Sequence, residues 1–438
     1  MKRLLGTAAL AVVLAAGPAL AETTVTFWSF LDPNKTSPRE VALKKIIENF
    51  EAANPGIKIK VEPQVFSELG VKFILGHNTG TAPDTVFINT SAMGAIIQAG
   101  AAADLEAAFI GGWPQSEKDD FYITAGWDAA LMDGKRYAVP MFNAGELIFY
   151  RKDLLAAAGV DPATLTSWDA VTEAAKKLTK DENGDGRPEI WGFGTPLATD
   201  KVGGTTALTT MIVDGNGRAW DGANCVAEYA NEAGAKALRL HADWIKVHKV
   251  MPEEALVTNT DDLTDQFNAG RFAMIVAPFA RYSNVQASAT WDKNQLGVLP
   301  WPSWSGKTSG PARVAGWWVG AWSKSPHAKE AALWVEHLIN QESVRLWSTT
   351  GGQIPTRLSI WQSDELQKPE FDYLRALVDN WKVASYVLPT NCNTSRFDGD
   401  LNAAVQRVAV DGVDPMEALK EAEAAFKGDI QRYVYSRY

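Results

Sequence analysis

The chain has 438 residues with 42 Lys and Arg against 52 Asp and Glu, 46% hydrophobic and 10% aromatic residues, and two cysteines. That length accommodates two large domains of ~150 to 200 residues, each with a substantial core. The acidic balance excludes nucleic acid and an anionic membrane surface as partners, and the dispersed charges need no reading beyond solubility.

Lys2 and Arg3 precede an apolar run from Leu4 to Leu14, and Ala19-Leu20-Ala21 supplies a small-x-small cleavage pattern before Glu22. Residues 1–21 are therefore expected to be a secretory signal peptide; the run is shorter than the ~20 apolar residues a membrane anchor needs. No Cys stands near the cleavage site for lipid attachment. Without Lys2 and Arg3 the basic count falls from 42 to 40 against 52 acidic residues, a formal charge of −12. A soluble, exported protein follows. In an oxidising compartment Cys225 and Cys392 either form one disulfide or stay as two buried thiols.

Residues 22–30 alternate Val25 and Phe27 with polar neighbours, as a first strand does. A loop with Asp32, Pro33, Asn34 and Ser37 leads to a helix over Val41–Phe50, which Asn54-Pro55-Gly56 stops. Ile57, Ile59 and Val61 predict a second strand, Phe66–Leu75 a helix, and Thr85–Ile88 a third strand. Strand and helix alternate, which predicts a parallel sheet covered on both faces, with ligands met by the loops beyond the strand C-termini. Those loops carry Phe30, Asp32 and Asn34 in one case and Asn89, Thr90 and Ser91 in the other.

Tyr137–Val139 and Leu147–Tyr150 read as two short apolar strands, with Pro140–Gly145 between them in the interior of neither. This stretch is either a turn within one sheet or a hinge crossing between two lobes. Helices follow at Asp153–Gly159 and Ser167–Thr179, the latter capped by Ser167. The loop Asp181, Asn183, Asp185, Arg187, Glu189 then places side-chain oxygens at positions 1, 3, 5 and 9 of a calcium-loop pattern, with Gly186 at position 6 and the Arg187 carbonyl at 7. Gly192 stands where the bidentate Glu is required, leaving Glu189 as its substitute. A structural calcium ion and a solvated Asx-Gly turn both fit.

Helices are predicted at Ala233–Val247 and Thr260–Asn268, and strands at Phe272–Val276 and Leu296–Leu299. Gly316-Trp317-Trp318-Val319-Gly320 is rich in indole, a helix runs from His327 to Asn340, and Gly351–Thr356 reads as another extended crossing before a helical C-terminal remainder.

Taken in order, Val25–Trp28, Gly80–Phe87, Gly134–Pro140, Tyr150–Leu154, Phe267–Met274, Leu299-Pro300 and Gly351–Pro355 give the chain a resemblance to the family 1 extracellular solute-binding proteins of ABC sugar importers, in their maltodextrin-binding branch. The resemblance covers essentially the whole mature chain. It implies the type II periplasmic binding protein fold: two α/β lobes joined by three crossings, near residues 138–145, 297–302 and 349–356, closing over a sugar. The lobes would be residues 22–141 with 298–350, and 142–297 with 351–438, which puts Cys225 and Cys392 in the same lobe. It further implies a periplasmic, monomeric receptor with no cofactor needed for function, whose partners are a carbohydrate and a membrane permease.

A sugar site needs planar apolar faces and convergent polar groups. Trp317 and Trp318 are the expected platforms, one of the pair more than both. By alignment Ala280 stands where the maltodextrin-binding relative has its stacking Trp, so Phe279 is the expected replacement and Arg281 an expected partner for hydroxyls or an anion. Asp32, Asn34, Asn89, Thr90, Ser91, Asn143 and Glu146 are the polar candidates, and Asp84 reads as structural. Arg313 and Arg357 are further cations for an anionic ligand. A polyol or glycerophosphodiester is the alternative cargo. Among enzyme readings no His-Glu-x-x-His or Gly-x-Ser-x-Gly occurs, and His241 and His248 are seven apart on a helix. A glycoside hydrolase with two facing carboxylates is the enzyme that remains.

Overall fold

Eight strands build two separate sheets in the computed structural model, which describes residues 22–199, 206–221, 225–383, 385–388 and 397–435. We number them β1 (Thr23–Ser29), β2 (Ile57–Pro63), β3 (Thr85–Asn89), β4 (Val139–Ala144), β5 (Glu146–Arg151), β6 (Met274–Pro278), β7 (Leu296–Leu299) and β8 (Ala315–Ala321). The expected signal peptide and Cys392 lie outside the described residues; Cys225 is disulfide-bonded. Among the described residues no helix is long and apolar enough to cross a membrane.

The first sheet has the order β2-β1-β3-β8-β4. β1 runs parallel to β2 and β3, whereas β8 is antiparallel to both of its neighbours, β3 and β4, so the predicted parallel sheet holds one reversed strand. Helix α1 (Pro38–Ala53) covers it, with Ala42, Leu43, Ile46 and Phe50 buried. Pro at the first helical position suits the fixed φ of the ring. Asp84 is structural as expected: its carboxylate accepts from the Thr26 backbone and hydroxyl at 2.8 Å and from the Ser325 hydroxyl at 2.6 Å, tying three elements together. The second sheet, β6-β5-β7, is antiparallel throughout.

Each sheet has its own hydrophobic core. Phe27, Phe50, Phe87, Trp318, Trp334 and Trp347 belong to the first, and Phe149, Trp168, Trp244, Phe272, Trp301 and Phe397 to the second. Most of the indoles are thus packing groups. Two cores with strands passing between them make the stretch at 134–154 a hinge crossing.

The crossing is narrower than the sequence predicts. β4 runs through Pro140 to Ala144, so these residues are strand interior after all. A proline is tolerated because β4 is the sheet edge and the ladder bulges where Pro140 and Phe142 face Trp318 and Trp317. Only Gly145 separates the two sheets. A Cβ there would stand 2.8 Å from Leu377 Cδ2 and 3.2 Å from the Arg313 carbonyl, since the crossings run side by side. The return also lies later than residues 297–302. Trp301, Ala312 and Val314 remain in the second core, Trp301 against Trp168 at 5.7 Å, and the Asn380 side chain holds the Trp301 amide and the Gly310 carbonyl. The chain re-enters the first sheet at Ala315, where Gly316 has φ +129° and comes so close to Phe142 that a Cβ would meet its carbonyl oxygen at 2.5 Å. A third passage of the chain lies between Trp347 of the first core and Ile354 of the second, and the Asn143 amide donates to the Ile354 carbonyl beside it.

Candidate functional site

Beside these crossings lies a cleft of about 380 Å³. Its walls are Pro38 at the start of α1, Phe279 and Ala280 of the turn beyond β6 with Tyr282, Ser283, Gln286 and Ala287 of the short helix after it, the third crossing at Thr349–Gln353, and Tyr373 on helix α2 (Asp372–Val383). Both lobes therefore contribute, which is the condition for a ligand to drive closure.

The second-lobe wall is a set of parallel rings. Tyr373 lies flat against Tyr282, with centroids 4.1 Å apart and planes 5° apart, and against Phe279 at 5.5 Å and 6°. Burial raises both phenols above the ordinary tyrosine range, Tyr373 to about 12, so both stay neutral hydroxyls able to donate and accept. Phe279 itself is buried and its amide donates to the Gly145 carbonyl, so it backs the wall more than it faces the cleft. Tyr282 and Tyr373 carry the platform that sequence reasoning assigned to Phe279. Tyr282 directly follows the candidates Phe279 and Arg281 in the chain; nothing in the sequence around Tyr373 points to a cleft ninety residues away.

On the first lobe the adjacent indoles diverge. Trp317 is half-buried and lies over Phe30 at 4.2 Å, with Arg39 over the far aromatic neighbour, its guanidinium 5.5 Å from the Phe30 centroid. Trp318 is 0% exposed and its indole N–H donates to the Gly126 carbonyl at 2.9 Å. Trp318 is thus a core residue and no platform: neighbours on a strand point to opposite faces, and its face is the inner one.

The polar candidates divide in the same way. Asp32 accepts from the Asn34 amide and side chain at 3.0 Å, forming an exposed turn that supports itself. Asn89 caps the helix Thr90–Gln98, accepting from the Ala92 amide at 2.9 Å and from the Ser91 hydroxyl at 3.0 Å, and it pairs in register with Trp317. Asn89, Thr90 and Ser91 are thus half-buried beside Trp317. Asn143 and Glu146 flank Gly145 and are buried at 2% and 7%, in the hinge floor and not on the cleft wall. The Asn143 side-chain oxygen accepts no hydrogen bond among the described residues, and a Cβ added at Gly126 would stand 3.2 Å from it.

Four arginines bear on the hinge. Arg313 is buried and paired with Asp398 at 3.1 Å, and its pKa is raised: burial opposes the charge, but Asp398, Tyr386 and Glu146 outweigh it. Arg357 is fully buried, paired with Glu117 at 2.8 Å and Asp120 at 3.1 Å. Both are neutralised inside the protein and removed from the ligand side. Arg281 is partly exposed and paired with Asp261; its neighbours Ala280 and Tyr282 line the cleft, and Arg281 does not. Arg39, at the start of α1, lies over the Phe30 ring.

The Asp181–Glu189 loop stands apart from this cleft. Asp181 accepts from the Gly184 and Gly186 amides, Asn183 from Asp185, Asp185 from Arg187, and Glu189 from Glu182 and the Asn183 side chain, all within 2.6 to 2.8 Å. No cluster of three His, Cys, Asp or Glu among the described residues has metal-holding geometry.

Residues 35–344 match the family model described as bacterial extracellular solute-binding protein. The arabinooligosaccharide-binding protein of Bacillus subtilis is 22% identical over 359 residues, 79% of this chain and 76% of that protein. The sugar-binding protein MalE of Xanthomonas citri superposes with a TM-score of 0.77 at 19% identity, covering 95% of this chain and 100% of its own. UgpB of Mycobacterium tuberculosis, in complex with glycerophosphocholine, does so with a TM-score of 0.76 at 18% identity, covering 94% and 100%.

Proposed function

The chain belongs to the bacterial extracellular solute-binding proteins, and from that premise we propose that it is the carbohydrate receptor of an ABC importer, exported by its first 21 residues to the periplasm. The observation that carries this reading is the cleft beside the hinge, walled on one side by the flat Tyr282–Tyr373 stack and on the other by first-lobe residues. Aromatic planes suit the C–H faces of a sugar ring, and the half-exposed polar groups around them suit hydroxyls. A sugar touching both walls stabilises the closed arrangement, and that form docks on the permease. The arabinooligosaccharide-binding and MalE relatives support a sugar; the glycerophosphocholine complex of the UgpB relative favours, as a second reading, a polyol or glycerophosphodiester. The protein is read as a monomeric binder needing no cofactor, with no catalytic residues assigned.

A thermal-shift screen of mature protein against oligosaccharides, sugar acids and polyols, followed by calorimetry and product analysis on each hit, tests this. Micromolar binding with the ligand recovered intact is expected. Turnover of the ligand would replace the receptor by a hydrolase.

A further inference from the structure

A second cavity, of about 270 Å³, lies against β7 at the edge of the second sheet, and none of the residues that line it lines the cleft. Tyr150 of β5 pairs with Gly297 of β7, and Leu299 stands two residues further on, so all three belong to one face of the sheet. Tyr150 and Leu299 line the cavity from that face, Leu165 and Thr166 from the segment before Ser167, and Trp301 and Ser309 from the loop that follows β7. That loop is fixed. The Ser303 amide donates to the Thr166 carbonyl at 3.0 Å, the Gly310 amide to the Trp301 carbonyl at 2.8 Å, and the Trp301 amide to the Asn380 side chain at 2.9 Å.

Tyr150 leans across the edge strand. A Cβ at Gly297 would stand 2.2 Å from its Cζ and 2.4 Å from its Cε1, so glycine alone leaves room for the phenol end over β7, where the cavity is. The residue is 8% exposed, yet its hydroxyl makes no hydrogen bond among the described residues. Burial first, and the Asp161 charge second, raise its pKa, so it stays a neutral hydroxyl. Trp301, 1% exposed, also has a buried indole N–H without an acceptor among the described residues. Polar groups buried this deeply without a partner carry a desolvation cost that a partner removes.

No charged side chain lines the space among the described residues. An ion would lose its water there without a counter-charge, and a sugar would leave most of its hydroxyls unmatched. Leu165, Leu299 and the two prolines, Pro162 and Pro300, suit an apolar body instead, while the hydroxyls of Tyr150, Thr166 and Ser309 suit one polar group. A volume below the ~300 Å³ at which drug-sized pockets begin suits a single ring.

We propose that this cavity is a second binding site, for a neutral single-ring molecule with an apolar body and one polar group, of the phenol or aromatic-alcohol class. The ring lies among the leucines and prolines, and its polar group meets the Tyr150 hydroxyl.

Saturation-transfer NMR and calorimetry on the mature protein with phenol, benzyl alcohol, toluene and benzoate test this. Phenol or benzyl alcohol is expected to bind saturably with a Kd of roughly 1 mM or below, and about threefold to tenfold tighter than toluene. Tyr150→Phe, which keeps the ring and removes the hydroxyl, should erase that preference over toluene. Ala163→Trp, at an exposed position on the cavity wall, should fill the space and abolish binding. Excess glucose should displace neither alcohol. The absence of saturable binding overturns the site, as does binding that survives Ala163→Trp at full strength or yields to glucose. Benzoate binding as tightly as phenol, or a preference over toluene that survives Tyr150→Phe, overturns the ligand class and its contact. The receptor reading rests on the cleft and stands or falls apart from these results.

Discussion

Trp317 and Trp318 differ by one position and should differ wholly in what their loss does. Trp318→Ala removes a fully buried indole and its bond to Gly126, so it should cost about 3 to 5 kcal/mol in chemical denaturation while leaving ligand affinity in the folded fraction nearly unchanged. Trp317→Ala should do the reverse, weakening sugar binding by about 1 kcal/mol in calorimetry with a smaller effect on stability. His241 is a second residue whose burial can be read out. It is 0% exposed, its Nδ1 lies 2.9 Å from the Ala237 carbonyl, and its Nε2 has no partner among the described residues. Burial lowers its pKa from 6.5 to about 4. Between these values the unfolded chain takes up a proton that the folded chain refuses, so stability is whole above pH 6.5 and falls as pH drops towards 4. The loss reaches about 3 kcal/mol. Urea midpoints from pH 8 to 4 should fall more steeply in the wild type than in His241→Leu; parallel curves would remove the histidine from the account.

At the scale of elements, the hinge depends on two glycines for two different reasons. Gly316→Ala combines a positive φ with a backbone oxygen 2.5 Å from the new methyl, and neither can move aside cheaply. A loss of about 2 kcal/mol or more is expected. Gly145→Ala meets the flexible end of Leu377 first, so its cost should be smaller. Denaturation of the two variants checks the order. The Asp181–Glu189 loop is proposed as a structural calcium site on its donor pattern alone. Its carboxylates already accept amide hydrogen bonds, and each can accept a cation in addition. Calcium should raise the thermal midpoint by mass action, chelation should lower it, and Asp185→Ala should abolish the difference. No response to calcium or chelator would leave a turn held by its own hydrogen bonds. These element boundaries were only partly legible. Alternation in β1 and the capped helix after Ser167 mark themselves locally, whereas Pro140 in β4 contradicts local expectation because an edge position is a property of the assembled sheet.

For the whole molecule, closure is the behaviour to measure. Since both lobes wall the cleft, saturating ligand should reduce the radius of gyration in solution scattering, and an unchanged curve at saturation would count against a closing receptor. Long-range topology also decides what the cleft contains. Hydrophobic periodicity, turn residues and the ordered motifs of the family were written into the chain itself, and with them the two-lobe α/β fold and the extracellular binding class, because those signals depend on neighbours within a few residues. Local sequence could nominate Trp317 and Trp318 together but not choose between them: the choice is made by which face of β8 turns inward. It could not join Tyr282 to Tyr373, because the two meet only after the chain has crossed to the first lobe, returned and packed the second core. A strand's pattern is set by its own residues, whereas a site's composition is set by which distant elements the folded chain brings within a few ångströms.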